Sequence, residues 1–250
     1  MNLANIFSRR KLSTPVDLSV LLTDMHSHLI PDIDDGAKTM EESLELIRQL
    51  SELGYKKLII TPHVMNDYYK NTPDIILKGL EDVKNAVDRD NIPIKIEVGA
   101  EYLIDQGFVE KFKNKQLLTF GQPNKNYLLI EFSFFNAPKN IIPLIFDLQV
   151  AGYKVILAHP ERYLYWFDDF DKFKKLKEKG VLFQINIISL SGYYSVLIRN
   201  LAEKFIKNQM VDFLGTDIHN NYYLEGLKKS LYERYLDKII SSGKILNSTL

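Results

Sequence analysis

Seven short apolar runs recur along this 250-residue chain, and their spacing constrains the fold more than any other feature. They occupy residues 19–23, 57–61, 94–99, 127–131, 154–158, 181–186 and 211–216. The runs are rich in Ile, Val, Leu and Phe and mostly continuous rather than alternating, as expected of strands buried on both faces of a parallel sheet. Neighbouring runs begin roughly 25 to 40 residues apart, enough for a strand and a crossover helix each. The segments between them carry helix signals. Thr39-Met40-Glu41-Glu42 is a capping box, with Gly54 as the stop. Thr72-Pro73 supplies an N-cap and a first-turn proline before Ile76, Leu80, Val83 and Val87, which step along one helix face. Residues 138–152, 168–180, 195–208 and roughly 222–242 read as further helices. The pattern predicts an α/β fold, either an open sheet or a barrel. After about residue 20 no linker or shift in composition marks a boundary, so 21–250 reads as one domain behind an N-terminal arm, 1–20.

Composition removes several function classes. Lys plus Arg is 32 and Asp plus Glu is 32, a net charge of zero without the basic excess that phosphate-backbone binding requires, so no nucleic-acid partner is expected. There is no cysteine, which excludes disulfides, thiolate metal sites and cysteine nucleophiles. No apolar run approaches the ~18 residues of a membrane span, and no apolar block follows Arg9, Arg10 and Lys11. The default expectation is a cytoplasmic protein.

The chain has five histidines, and each lies just past the C-terminal end of an apolar run. His26 and His28 follow the first, His63 the second, His159 the fifth and His219 the seventh. Glu101, Glu131 and Asp217 share these positions, and Asp35 lies in an Asp-Asp-Gly turn after the first run. A lone histidine is more often a satisfied or surface residue than a ligand, and an acid after a strand is often a helix cap. Five histidines at equivalent ends are another matter, because nothing in packing asks for that placement. In a (β/α) barrel those ends converge on one mouth, so the placement favours the barrel and brings distant residues to one pocket. His26 and His28 alternate in an extended segment and can reach one ion. Nine donors exceed the four or so that one zinc takes, and suit two or three divalent ions sharing a carboxylate. Imidazole nitrogen with carboxylate oxygen suits manganese, iron or zinc, with magnesium at oxygen-rich positions.

The motifs DMHSHLIPDIDDGAKT, TPH, GAEY, LLIEFS, LAHPERY and TDIHN, in that order, resemble the polymerase-and-histidinol-phosphatase (PHP) superfamily. More narrowly, they resemble its bacterial metal-dependent tyrosine-protein phosphatases of capsular and exopolysaccharide operons. The match runs from about Asp24 to Asn220. The resemblance implies a distorted (β/α)7 TIM-like barrel with a trinuclear, manganese-type centre at its mouth. It implies that His26, His28, Glu101 and Asp217 hold one ion, that Glu101, Glu131 and His159 hold a second, and that Asp35, His63 and His219 hold a third. It implies that Arg162 binds phosphate, and that the substrate is a phosphotyrosine protein, a bacterial tyrosine kinase of polysaccharide synthesis or export.

The chemistry of the donors supports phosphoester hydrolysis. Water on such ions ionises near neutral pH, and a bridging hydroxide would attack phosphorus in line with the leaving group. Arg162 offers a planar, two-pronged clamp for the phosphoryl oxygens. A phenol, of pKa near 10, leaves with little acid assistance, and His63 or His219 could donate a proton through water. Asn186 and Tyr68 are the other candidate substrate contacts. Tyr68 belongs to a 66–70 cluster read as a mobile substrate loop, within an aromatic rim of Tyr69, Tyr102, Phe134, Phe135, Tyr163, Tyr165, Trp166, Tyr193 and Tyr194. Glu161 would either orient Arg162 or face solvent. The main alternative is a small-molecule phosphatase of the histidinol-phosphatase type. An amidohydrolase is disfavoured because Glu131 stands where that class carries a bridging lysine. An oligomer is compatible with the sequence.

Overall fold

In the computed structural model, which describes residues 11–122 and 125–250, the apolar runs form parallel strands covered on both faces. In chain order the elements are β1 (Thr23–Asp24), α1 (Met40–Glu52), β2 (Lys57–Ile60), β3 (His63–Val64), α2 (Pro73–Arg89), β4 (Lys95–Val98), β5 (Glu101–Leu103), α3 (Phe108–Lys113), β6 (Asn126–Glu131), α4 (Ile141–Val150), β7 (Tyr153–Ala158), α5 (Asp171–Glu178), β8 (Leu182–Asn186), α6 (Val196–Lys207), β9 (Phe213–Gly215), α7 (Asn221–Ser230) and α8 (Arg234–Ser241). Among the described residues they make two sheets, ordered β1-β2-β4 and β3-β5-β6-β7-β8-β9, with every strand pairing parallel.

The architecture is therefore α/β with parallel sheets, but the ladder is not one closed ring of seven strands. Two expected strands are each continued, past a break, by a short strand beyond the end of the predicted run. β2 ends before Thr61-Pro62 and resumes as β3, because Pro62 has no N–H to give to a ladder. β4 ends before Gly99-Ala100 and resumes as β5. A Cβ on Gly99 would meet the Phe120 ring at 2.6 Å, so the backbone here passes closer to its neighbour than a side chain allows. The first run begins as a 3-10 turn, Ser19–Leu21, and becomes strand only at Thr23, after Leu22 takes φ 60°. Backbone bonds still cross the junctions. Glu101 N donates to Pro62 O (3.0 Å), Asp217 N to His26 O (2.8 Å) and His28 N to Ile218 O (2.9 Å).

Alternation along each strand separates two cores. On β6, Leu128 and Ile130 join the large helix-covered core, while Tyr127 and Leu129 turn to the opposite face. There they meet Met25, Ile59, Ile156, Ala158 and Phe213 in a smaller cluster, with Leu246 and Leu250 packed in. Side chains alternate with period two, so the face holding Tyr127 and Leu129 ends at Glu131. Asn247 secures the segment that carries Leu250. Its side chain accepts from Leu214 N (2.9 Å) and donates to Thr23 O (2.9 Å) and Leu214 O (2.7 Å).

The helix signals are realised with shifted ends. Thr39 caps α1 by accepting from Glu42 N, and Thr72 caps α2 by accepting from Ile75 N. The helix expected over 222–242 is two helices, α7 and α8. The break leaves the carbonyls of Leu231 and Tyr232 free to accept from Val16 N (2.8 Å) and Leu12 N (2.9 Å), which fastens residues 12–16 to the body. The first half of the predicted arm, 1–10, lies outside the described residues. No helix among the described residues is long and apolar enough to cross a membrane.

Candidate metal centre

Parallel strands all point one way, so the residues following their C-terminal ends share one end of the sheets. His26 and His28 follow β1, His63 opens β3, Glu101 opens β5, Glu131 closes β6, His159 follows β7, and Asp217 and His219 follow β9. Asp35 comes from the turn before α1. His159 (φ 32°) and Asp217 (φ 52°) take left-handed backbone conformations, at a cost of about 1–2 kcal/mol each for non-glycine residues. Such strain persists where a side chain must be aimed.

All nine predicted donors come together. Ligand atoms within 4.8 Å of one another fall into four overlapping sets. These are His28, Asp35, His63 and His219; His26, His28 and Asp217; His26, Glu101 and His159; and His63, Glu101 and Glu131. The grouping overlaps the partition implied by the resemblance without matching it. His63 faces two ways, with Nδ1 3.0 Å from Glu101 and 3.1 Å from Glu131, and Nε2 3.4 Å from Asp35. Glu101 is central. Its Oε1 is 2.8 Å from His159 Nε2, and its Oε2 lies 3.2 Å from His26 Nε2 and 3.5 Å from His28 Nε2. Eight donors are buried, and Asp35 alone, with a side chain 53% exposed, faces outward.

The donor set fits metal ions by its own hydrogen bonding. His26 Nδ1 is 2.8 Å from Gln184 Oε1, His28 Nδ1 is 2.8 Å from Asp34 Oδ2, and His219 Nδ1 is 2.8 Å from the Asp217 carbonyl. Each of these partners is an acceptor, so each Nδ1 carries a proton and each Nε2 is turned to the centre, where the neutral ring offers a lone pair. Two such nitrogens, His26 Nε2 and His28 Nε2, sit 3.2 Å apart. As neutral rings neither can donate to the other, and a shared cation, proton or metal ion, resolves the contact. The buried atoms His63 Nδ1, Glu101 Oε2 and Glu131 Oε1 are likewise without hydrogen-bond partners.

The field of the cluster demands positive charge. Burial opposes protonation of His28, yet the Asp34 carboxylate raises it to about 10. Burial likewise opposes charge on His63, but Glu101 and Glu131 hold it well above its ordinary value. Burial would raise Glu101 and Asp217, and the imidazole His26 with its neighbours pulls both well below the carboxylate range. Protons on imidazoles and divalent ions are alternative ways to satisfy that field.

Arg162 stands beside the cluster. Its Nη1 is 3.4 Å from Asp217 Oδ2, and its guanidinium rests on the rings of Phe134 and Tyr194. Asn186 is buried, and its amide donates to Asp217 Oδ2 (2.6 Å), so it reaches the centre through a donor. Tyr68 is 79% exposed, whereas its neighbour Tyr69 stacks on His63 at 5.6 Å. Glu161 does not face solvent. It is buried, its Oε1 accepts from Asn186 N (2.9 Å) and Ser189 Oγ (2.7 Å), and burial pushes its pKa up to about 7. Three supporting residues had no distinct sequence signal. Asp34 is adjacent to Asp35 and indistinguishable from it by type, Gln184 is a lone polar residue within a strand, and Tyr223, stacked on His219 at 4.7 Å, is one of 14 tyrosines.

Parallel α/β sheets ending in a crowd of imidazole and carboxylate donors define a metal-centre protein. The family model for capsular polysaccharide synthesis, CpsB/CapC, matches residues 22–232, and the chain belongs to that family. It is 30% identical over 199 residues to the tyrosine-protein phosphatase YwqE of Bacillus subtilis, covering 80% of this chain and 78% of the relative. It is 30% identical over 204 residues to the tyrosine-protein phosphatase CpsB of Streptococcus agalactiae, covering 80% and 83%. Among solved structures, a chain from those of YwqE from Bacillus subtilis and CpsB from Streptococcus pneumoniae, described as unique metal-dependent tyrosine phosphatases, superposes with a TM-score of 0.78. That match has 27% identity and covers 88% of this chain and 90% of the other. An amidohydrolase from Mycoplasma synoviae shares the fold alone, at 12% identity and a TM-score of 0.55, over 97% and 91% of the two chains.

Proposed function

We propose that this chain is a metal-dependent protein-tyrosine phosphatase that hydrolyses phosphotyrosine on a protein, a bacterial tyrosine kinase of polysaccharide synthesis in the cytoplasm. The observation that carries the reading is the convergence of nine donors, two of them imidazole nitrogens 3.2 Å apart, beside one half-buried arginine. The relatives' shared activity supports it. On this reading the two sheets are one distorted seven-stranded barrel, the domain spans 21–250, and the nine donors hold two or three divalent ions, manganese foremost.

Charge supports more than one ion. Four of the nine donors are carboxylates, which two divalent ions neutralise. A third ion leaves a surplus of two positive charges, matching a phosphate monoester near its full charge of −2. When bound, such ions supply Lewis acidity and lower the pKa of water toward ~7. The chain's own residues do the rest. Arg162 meets the phosphoryl oxygens with its planar fork and stays charged at any working pH. Asp34, Gln184 and the Asp217 carbonyl fix which nitrogen each histidine presents. Asn186 occupies Asp217 Oδ2, leaving Oδ1 to face His26 and His28 at 3.3 Å each. A phenolate leaving group, of pKa about 10, needs no strong acid beside it.

The test is phosphate release from a phosphotyrosyl peptide and a matched phosphoseryl peptide, with Mn²⁺ and after chelation, for wild type and Arg162→Ala. Metal-dependent release favouring phosphotyrosine and lost in the variant is expected. Release from neither peptide by metal-loaded protein would overturn the reading in favour of a small-molecule phosphatase.

A further inference from the structure

Arg162 does not stand free in the centre. Its Cζ lies 4.2 Å from the ring centroid of Phe134 and 4.5 Å from that of Tyr194. The two rings come from different parts of the chain, Phe134 from the segment after Glu131 and Tyr194 from the loop beyond the 3-10 turn Ile187–Ser191. Each is anchored in turn. Phe134 stacks on Tyr163 at 5.9 Å, and the Tyr163 hydroxyl donates to Ala158 O and accepts from Phe132 N, both at 3.0 Å. The Tyr194 hydroxyl lies 3.4 Å from Asn186 Nδ2 and from Asp217 Oδ2. Glu161 ties the turn bearing Arg162 to the one leading to Tyr194 through Asn186 N and Ser189 Oγ.

A guanidinium whose planar surface rests on rings keeps its in-plane N–H groups for oxygen acceptors. A long, flexible side chain held this way loses little further entropy when it takes a phosphate. The Arg162 side chain is 20% exposed and Phe134 is 39% exposed, so the pair lies where a ligand can arrive.

We infer that Phe134 and Tyr194 are positioning residues that hold Arg162 edge-on to the donor cluster, so that a phosphate ester meets a two-pronged donor already in place. The inference rests on Arg162 being the phosphate clamp. It separates a built clamp from ordinary aromatic packing, since packing alone would govern stability and leave phosphate affinity untouched.

The experiment uses metal-loaded full-length protein with Phe134→Leu, Tyr194→Leu, the conservative Phe134→Tyr and Tyr194→Phe, and Arg162→Ala. It reads metal content, Tm, KM and kcat on a phosphotyrosyl peptide, and inhibition by inorganic phosphate. Each leucine variant is expected to raise KM and the phosphate inhibition constant about 10-fold at unchanged metal content. Phe134→Tyr should stay within about twofold of wild type, and Tyr194→Phe, which keeps the ring but loses the hydroxyl contacts, should fall between wild type and Tyr194→Leu. Leucine variants with unchanged KM and phosphate inhibition, or with losses that track lost metal, would overturn the inference. If Arg162→Ala weakens phosphate inhibition while both leucine variants are silent, only the positioning role falls. If Arg162→Ala leaves phosphate inhibition unchanged, the clamp reading falls first. The two leucine substitutions lie on separate segments, so one well-folded variant is enough to decide.

Discussion

Replacing Gln184 with methionine tests whether a strand that carries no metal donor nonetheless organises the centre. Gln184 lies on β8, accepts from His26 Nδ1 at 2.8 Å and donates to Asn186 Oδ1 at 2.8 Å. All three residues are fully buried. Methionine nearly conserves the volume but makes neither bond, so His26 Nδ1 and Asn186 Oδ1 are both left without their partner. At about 1–3 kcal/mol for each stranded buried group, the metal-free protein should lose roughly 2–6 kcal/mol of stability. His26 is also freed to swap tautomers and turn its protonated nitrogen to the centre. Loss of such an outer partner lowers metal affinity about 10- to 100-fold, which is about 1.4–2.8 kcal/mol. Isothermal titration with Mn²⁺, together with metal analysis of the purified variant, reads that loss directly. The ion held through His26 should weaken, while a set without it, such as His63, Glu101 and Glu131, should bind nearly as before. A variant that binds every ion with wild-type affinity, however destabilised, would show that Gln184 serves stability alone and would refute the tautomer argument.

Chelation should abolish phosphatase activity and lower Tm, with Mn²⁺ restoring both, because ions that bind only the folded state stabilise it by about 2.7 kcal/mol at a concentration 100 times Kd. Activity that survives exhaustive chelation would contradict the donor geometry. Arg162→Lys keeps the charge and loses the fork, so kcat/KM should fall roughly 10- to 100-fold at unchanged metal content, and near-wild-type kinetics would mean that charge alone suffices. Asn247→Ala removes three buried hydrogen bonds and should cost about 3–5 kcal/mol in denaturant unfolding. A loss below ~1 kcal/mol would show that water replaces the amide.

Eight of the nine donors were legible because two signals coincide at each of them, Asp35 in its turn being the exception. A continuous apolar run marks a buried strand, and a histidine or acid at its end marks the open side of a sheet. His159 after 154–158 and Glu131 closing 127–131 could be placed that way. The support behind them could not. Asp34 and Asp35 are neighbours of one type, and only the turn decides that Asp34 bonds His28 while Asp35 stays half in solvent. Glu161 is of a residue type usually found at the surface, and its burial follows from donors offered by Asn186, 25 positions away, and Ser189. The broken strands were likewise out of reach of periodicity. Pro62 pointed to the first break, but the approach of Phe120 to Gly99 is a tertiary event. The split between α7 and α8 reflects bonds from residues 12 and 16, more than 200 positions away in sequence.

Asn247 bonds the carbonyl of Thr23 across 224 positions, with Leu246 and Leu250 beside it against the small inner core. So long a loop closes late, since its entropy must be met before the contact yields anything. Synthesis runs from the N-terminal side, so every donor from His26 to His219 leaves the ribosome before this floor can be laid. The apolar face that ends at Glu131 is therefore the last part of the fold to be completed.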